Sequence, residues 1–154
     1  MKTLEPGAVL RGAVAGLLVI VPLTALRAIL DREAGDFNDS GWLYVFGFGL
    51  LAAYVVAGSV AGHRAAGAPL TNGILAGIGA LVLWLPLRIV IWVARGEAHG
   101  LFTGSEPVFT VGQLFGQLLF ATAFGVIGGL IGARSARRTP IAGDRMGTPA
   151  PPRG

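Results

Sequence analysis

The 154-residue chain has no cysteine, a single lysine, two methionines, and charge at only 13% of its positions. Without cysteine there is no disulfide framework, no thiolate metal site and no thiol nucleophile. A soluble domain carries roughly 25% charged residues, so the scarcity of charge argues against a water-facing surface. Mean hydropathy of +0.69 says the same and excludes disorder for most of the chain. Neither a Gly-x-Ser-x-Gly elbow nor a Gly-x-x-x-x-Gly-Lys-Ser/Thr loop occurs, which removes the commonest hydrolase and nucleotide-binding signatures. These absences point to a protein that is not an enzyme and carries no cofactor.

What is present is apolar length. Crossing about 30 Å of hydrocarbon at 1.5 Å per residue takes about 20 residues. Four stretches qualify, at about 9–30, 42–61, 70–94 and 108–133. A bilayer core leaves the backbone no outside partner, so each is expected to be helical. The expected architecture is all-α: a polytopic four-helix bundle over residues 1–138, built as two tandem helical hairpins. The stretch 139–154 has prolines at 140, 149, 151 and 152 and reads as a disordered, basic cytoplasmic tail.

Net charge is +4, which by itself suggests an acidic partner such as nucleic acid. Its distribution gives a different reading. One side of the expected bundle holds Arg27, Arg32, Arg88 and Arg95 against six carboxylates. The other holds Lys2, Arg11, Arg64, Arg134, Arg137, Arg138, Arg145 and Arg153 against Glu5 and Asp144. The positive-inside rule then puts both termini and the turn at residues 63–69 in the cytoplasm. The charge becomes an orientation signal, and no nucleic-acid partner is expected. Arginine in place of lysine, with abundant alanine and glycine, is the bias of a GC-rich bacterial genome, so the expected location is the bacterial inner membrane.

Twenty-five residues are glycine, and eight fall in a pattern. Gly12 and Gly16, Gly58 and Gly62, Gly73 and Gly77, and Gly128 and Gly132 place one small-xxx-small pair on each span, always at its cytoplasmic end. Residues four apart share a helix face, and two glycines there let backbones approach closely. The bundle is expected to pinch at that end. At the other end lie Trp42, Trp84, Trp92, Pro22 and Pro86, bulky or kinking residues that favour splaying. Spans one and three match at an offset of 61, and spans two and four at 70, as a duplicated hairpin would.

Polar residues inside the spans are few. No span contains Asp or Glu, so the carboxylate usual in proton coupling is missing. His63 and His99 fall on opposite sides and cannot share a metal. Arg27 and Arg88 remain. An arginine within a span costs at least about 2.5 kcal/mol at the helix centre, which makes each a candidate site residue. Each also has an ordinary alternative: Arg27 can snorkel or pair with Asp31 one turn on, and Arg88, about 10 Å deep, can snorkel as well. Trp84, Arg88, Trp92 and Arg95 form an aromatic and cationic stripe. Gln113 and Gln117 lie one turn apart at a similar depth. Arg27, Trp84, Arg88, Gln113 and Gln117 are therefore the candidate ligand-binding residues. They would form an outward-facing polar pocket for an anionic group, or else a hydrogen-bond network that only holds the helices together.

The stretch from Val60 to Gly77, VAGHRAAGAPLTNGILAG, resembles small four-helix bacterial membrane proteins of uncharacterised function. In those proteins a glycine-rich helix ends in a basic turn leading into another glycine-rich helix. The arginine at the end of the first span, Arg27, is similar to one in small actinobacterial proteins labelled as four-helix transporters. That likeness implies transport, while the lack of a membrane carboxylate departs from proton-coupled efflux. The expected function is a non-enzymatic integral membrane protein acting through membrane partners or as a small subunit. The alternatives are an oligomeric transporter, or a protein binding an anionic lipid or solute. Expected partners are the lipid bilayer and either a second copy or another membrane protein.

Overall fold

A computed structural model describes residues 4–33, 41–65, 67–96, 100–103 and 108–138, the side chains at 31–33, 43 and 95 excepted. The 139–154 tail, Asp31 as a partner for Arg27, the side chain of Arg95, and His99 fall outside that description. Four helices follow in order: α1 (Pro6–Glu33), α2 (Trp42–Arg64), α3 (Pro69–Arg95) and α4 (Val111–Arg138). All four are long and apolar enough to cross a membrane, and the chain is a multi-pass membrane protein. No strand occurs among the described residues.

Most helices run past the apolar stretches that announce them, because a helix continues into the headgroup region where its end groups meet water. Pro6 and Pro69 begin α1 and α3, where a missing N–H costs nothing. Gly96 ends α3 with φ at 60°, a left-handed conformation that glycine adopts without strain. The fourth span starts at Val111 rather than Val108. Thr110 sets that start, its Oγ1 accepting a hydrogen bond from the Gln113 backbone N–H at 3.1 Å, the usual N-cap arrangement. Val108 and Phe109 instead donate backbone hydrogen bonds to Gly100 and Leu101, at 3.0 and 2.9 Å. These bonds hold residues 108–109 beside 100–101, and Phe109 is buried. Both α1 and α3 continue through Pro22 and Pro86.

In cross-section the helices form a rhombus. α2 and α3 touch across its short diagonal, and each packs on both α1 and α4, which barely approach each other. Six alanines, at 53, 57, 61, 76, 80 and 121, are wholly buried at its centre. A core this small in side-chain volume suits a solvent as apolar as leucine, where association rests on close backbone packing rather than on burying hydrocarbon.

A methyl group has no room at the glycine end. Added to Gly62 it would lie 2.5 Å from the Gly129 carbonyl oxygen, and added to Gly12, 2.5 Å from that of Ala57. The other six paired glycines are as crowded by backbone or by alanine methyls of a neighbouring helix. The two hairpins also pack in one register. Gly12 meets Ala57 and Ala61 of α2, as Gly73 meets Gly125 and Gly129 of α4; Gly16 meets Ala53 and Ala57, as Gly77 meets Ala121 and Gly125. The contacts therefore repeat at 61 for the first helix and 68 for the second, two residues from the offset that residue identities alone favour.

The Asn72 carboxamide is wholly buried. Its Oδ1 accepts from the Glu5 backbone N–H at 3.0 Å, and its Nδ2 donates to the Ala68 carbonyl at 2.9 Å. One amide thus ties the start of α1 to the start of α3. Asn72→Ala should cost about 1–3 kcal/mol, because it strips the partner from a partly buried N–H. Hydrogen exchange should rise at residues 5–9 ahead of the rest of α1.

Candidate functional site

From Gly58 and Gly125 toward the tryptophan end, α2 and α4 part. Between them opens a groove of about 460 Å³, lined on α2 by Tyr44, Gly47, Phe48, Leu50 and Leu51 and on α4 by Gln113, Gly116, Gln117 and Phe120. That size lies within the roughly 300–1,000 Å³ of small-molecule sites. Tyr44 and Phe48 are each 71% exposed and Phe120 53%, so the groove faces outward, where the bilayer would lie. Its walls are apolar apart from the tyrosine and the two amides.

Glycine has a second role here. A Cβ on Gly47 or Gly116 would meet no atom within 4 Å, unlike a Cβ on any of the eight paired glycines. These two residues do not bring backbones together; their missing side chains leave the space.

Gln117 forms part of the floor. Its Oε1 accepts a hydrogen bond from the Tyr54 hydroxyl at 2.9 Å, and Tyr54 is itself 1% exposed. A buried phenol needs such a partner, and this bond fixes α2 against α4 just where they separate. Tyr54 was not among the sequence candidates, although a hydroxyl in mid-span was the available signal.

The five candidates fall on two different seams. Gln113 and Gln117 line the groove between α2 and α4. Trp84 belongs to the seam between α1 and α3, on the far side of the rhombus: its Nε1 donates to Thr24 Oγ1 at 3.3 Å. Its ring also meets Phe109 edge-on at 6.1 Å. Arg88 sits one turn beyond Trp84 on the same face of α3 and is half-buried; Arg27 lies three residues past Thr24 on α1 and is exposed. Each arginine is engaged in an interaction, and neither lines the groove. The structure thus separates the cationic candidates from the amide candidates, and the groove is uncharged.

Three hydroxyls within the spans are satisfied by their own helices. The hydroxyls of Thr24, Ser59 and Thr122 donate to the carbonyls of Ile20, Val56 and Leu118, at 2.8, 3.0 and 2.8 Å, the back-bonding habit of these residues in helices. Comparison of the chain with protein-family models, with curated proteins and with solved structures finds no match to any of them.

Proposed function

We propose that this is a non-enzymatic membrane protein of the bacterial inner membrane. It acts through its lateral surfaces, as a small subunit or partner of other membrane components, with both termini in the cytoplasm. The observation that carries this reading is the closed glycine end. Where α2 and α4 leave no room for a methyl group between them, they leave none for a water file or a solute. The eight paired glycines serve as the packing faces of the bundle, and its working surface is the perimeter.

The test is reconstitution at protein-to-lipid ratios that keep the chain monomeric. Vesicles holding it should release ions and small solutes no faster than protein-free vesicles. Flux proportional to the number of monomers would overturn the reading. A photo-reactive residue at exposed lateral positions should in addition give crosslinked species of discrete mass from one side of the bundle only. The groove favours a second reading, a binding protein for a membrane-soluble ligand.

A further inference from the structure

We infer that the groove between α2 and α4 is a lipid site: it holds one acyl chain of a glycerophospholipid, whose ester carbonyl accepts hydrogen bonds from Gln113 and Gln117. The inference goes beyond the subunit reading and stands or falls separately from it.

Unpartnered donors carry it. Gln117 uses its Oε1 for Tyr54, which leaves its Nε2 without an acceptor among the described residues. The Gln113 carboxamide makes no bond there either, since only its backbone N–H is engaged, with Thr110. In water such amides need nothing further. In hydrocarbon an unsatisfied N–H costs several kcal/mol, a cost that falls on Gln117, the deeper of the two. The two amides open into an apolar groove, and the ligand that fits is an apolar chain bearing a neutral acceptor. A phosphate or free carboxylate is a poorer match, because neither Arg27 nor Arg88 lines the space.

Depth selects the ester. α4 has 28 residues, more than the about 20 that cross the hydrocarbon. Counting back about 20 from Ala133, the last residue before Arg134, puts the far boundary near Leu114. Gln113 therefore stands at the level where glycerol esters meet the hydrocarbon, with Gln117 one turn below. The stretch from Gln113 to Phe120 then extends about 10 Å into the bilayer, parallel to a lipid tail, and stops short of the Gly58 and Gly125 contact.

The test uses the full-length protein in vesicles doped with a phosphatidylcholine bearing a photo-reactive group midway along one acyl chain. Labelling should concentrate on residues 44–51 and 113–120, against a low, even background on the exposed face of α1 from Leu10 to Leu18. Gly116→Leu fills the groove without a clash and should cut groove labelling at least tenfold while leaving α1 labelling unchanged. Gln113→Leu should lower it about three- to tenfold, as the loss of one membrane hydrogen bond allows. A dialkyl ether analogue, which lacks the carbonyl, should label weakly and be indifferent to Gln113→Leu. Labelling equal on groove and α1, or unaffected by Gly116→Leu, would overturn the inference. So would a dimer that Gly116→Leu abolishes, since a second copy would then be the occupant.

Discussion

Gly58→Ala should destabilise the bundle by about 1–3 kcal/mol, and Gly58→Leu should prevent it from forming. A single methyl at Gly58 would lie 3.1 Å from both the carbonyl carbon and the Cα of Gly125, closer than carbon atoms pack. The neighbour is backbone, so no rotamer change relieves the clash; α2 and α4 must move apart. Separation would also loosen Gly62 against Gly129 and Gly132 against His63, because the contacts lie along one line. Gly112→Ala is the matched control. It adds the same methyl to the same kind of helix, but into open space, and should change stability by less than about 0.5 kcal/mol. Reversible unfolding in mixed micelles, followed by tryptophan fluorescence, measures both. Equal effects at the two positions would mean that the close approach does not hold the bundle.

Tyr54→Ala should cost about 3–5 kcal/mol, the range for truncating a buried aromatic side chain. The ring packs in the core cluster with Ile20, Ala53 and Ala57, and truncating it leaves a cavity among them. Tyr54→Phe keeps the ring and removes only the donor to Gln117, so its cost should fall to about 0.6–1.7 kcal/mol. Gln117→Leu in the Tyr54→Phe background should add little. A cycle showing strictly additive losses would mean that the hydroxyl and the amide are not coupled.

The spans and the paired glycines were legible in the sequence because their signals are local. Twenty apolar residues, or two glycines four apart, carry their meaning along one helix. The groove was legible only in part. Gln113 and Gln117 stood out by depth, but depth is one coordinate, and the direction in which a side chain points around its helix is another. Arg88 matches the glutamines in depth and differs in direction. Trp84, one turn away, turns toward Thr24 of α1, and Arg88 shares that face. Pairing across helices was equally out of reach: nothing in a single helix says that Tyr54 meets Gln117, or that Asn72 meets Glu5. Gly47 and Gly116 were hidden for another reason. A glycine that admits a neighbour and a glycine that leaves a space are the same residue, and only the atoms opposite tell them apart.

The rigid closure of the glycine end also limits how the molecule can move. Helices held backbone to backbone cannot slide past one another in small steps, because close-packed interfaces switch between arrangements rather than deform. At the tryptophan end α2 and α4 are already apart, joined last by the Tyr54 hydroxyl and Gln117. The motion left to this pair is therefore a change of angle about a fixed lower joint. Whatever enters from the side would set the angle, and the exposed ring of Phe48 and the half-exposed ring of Phe120 would report it to anything packed outside.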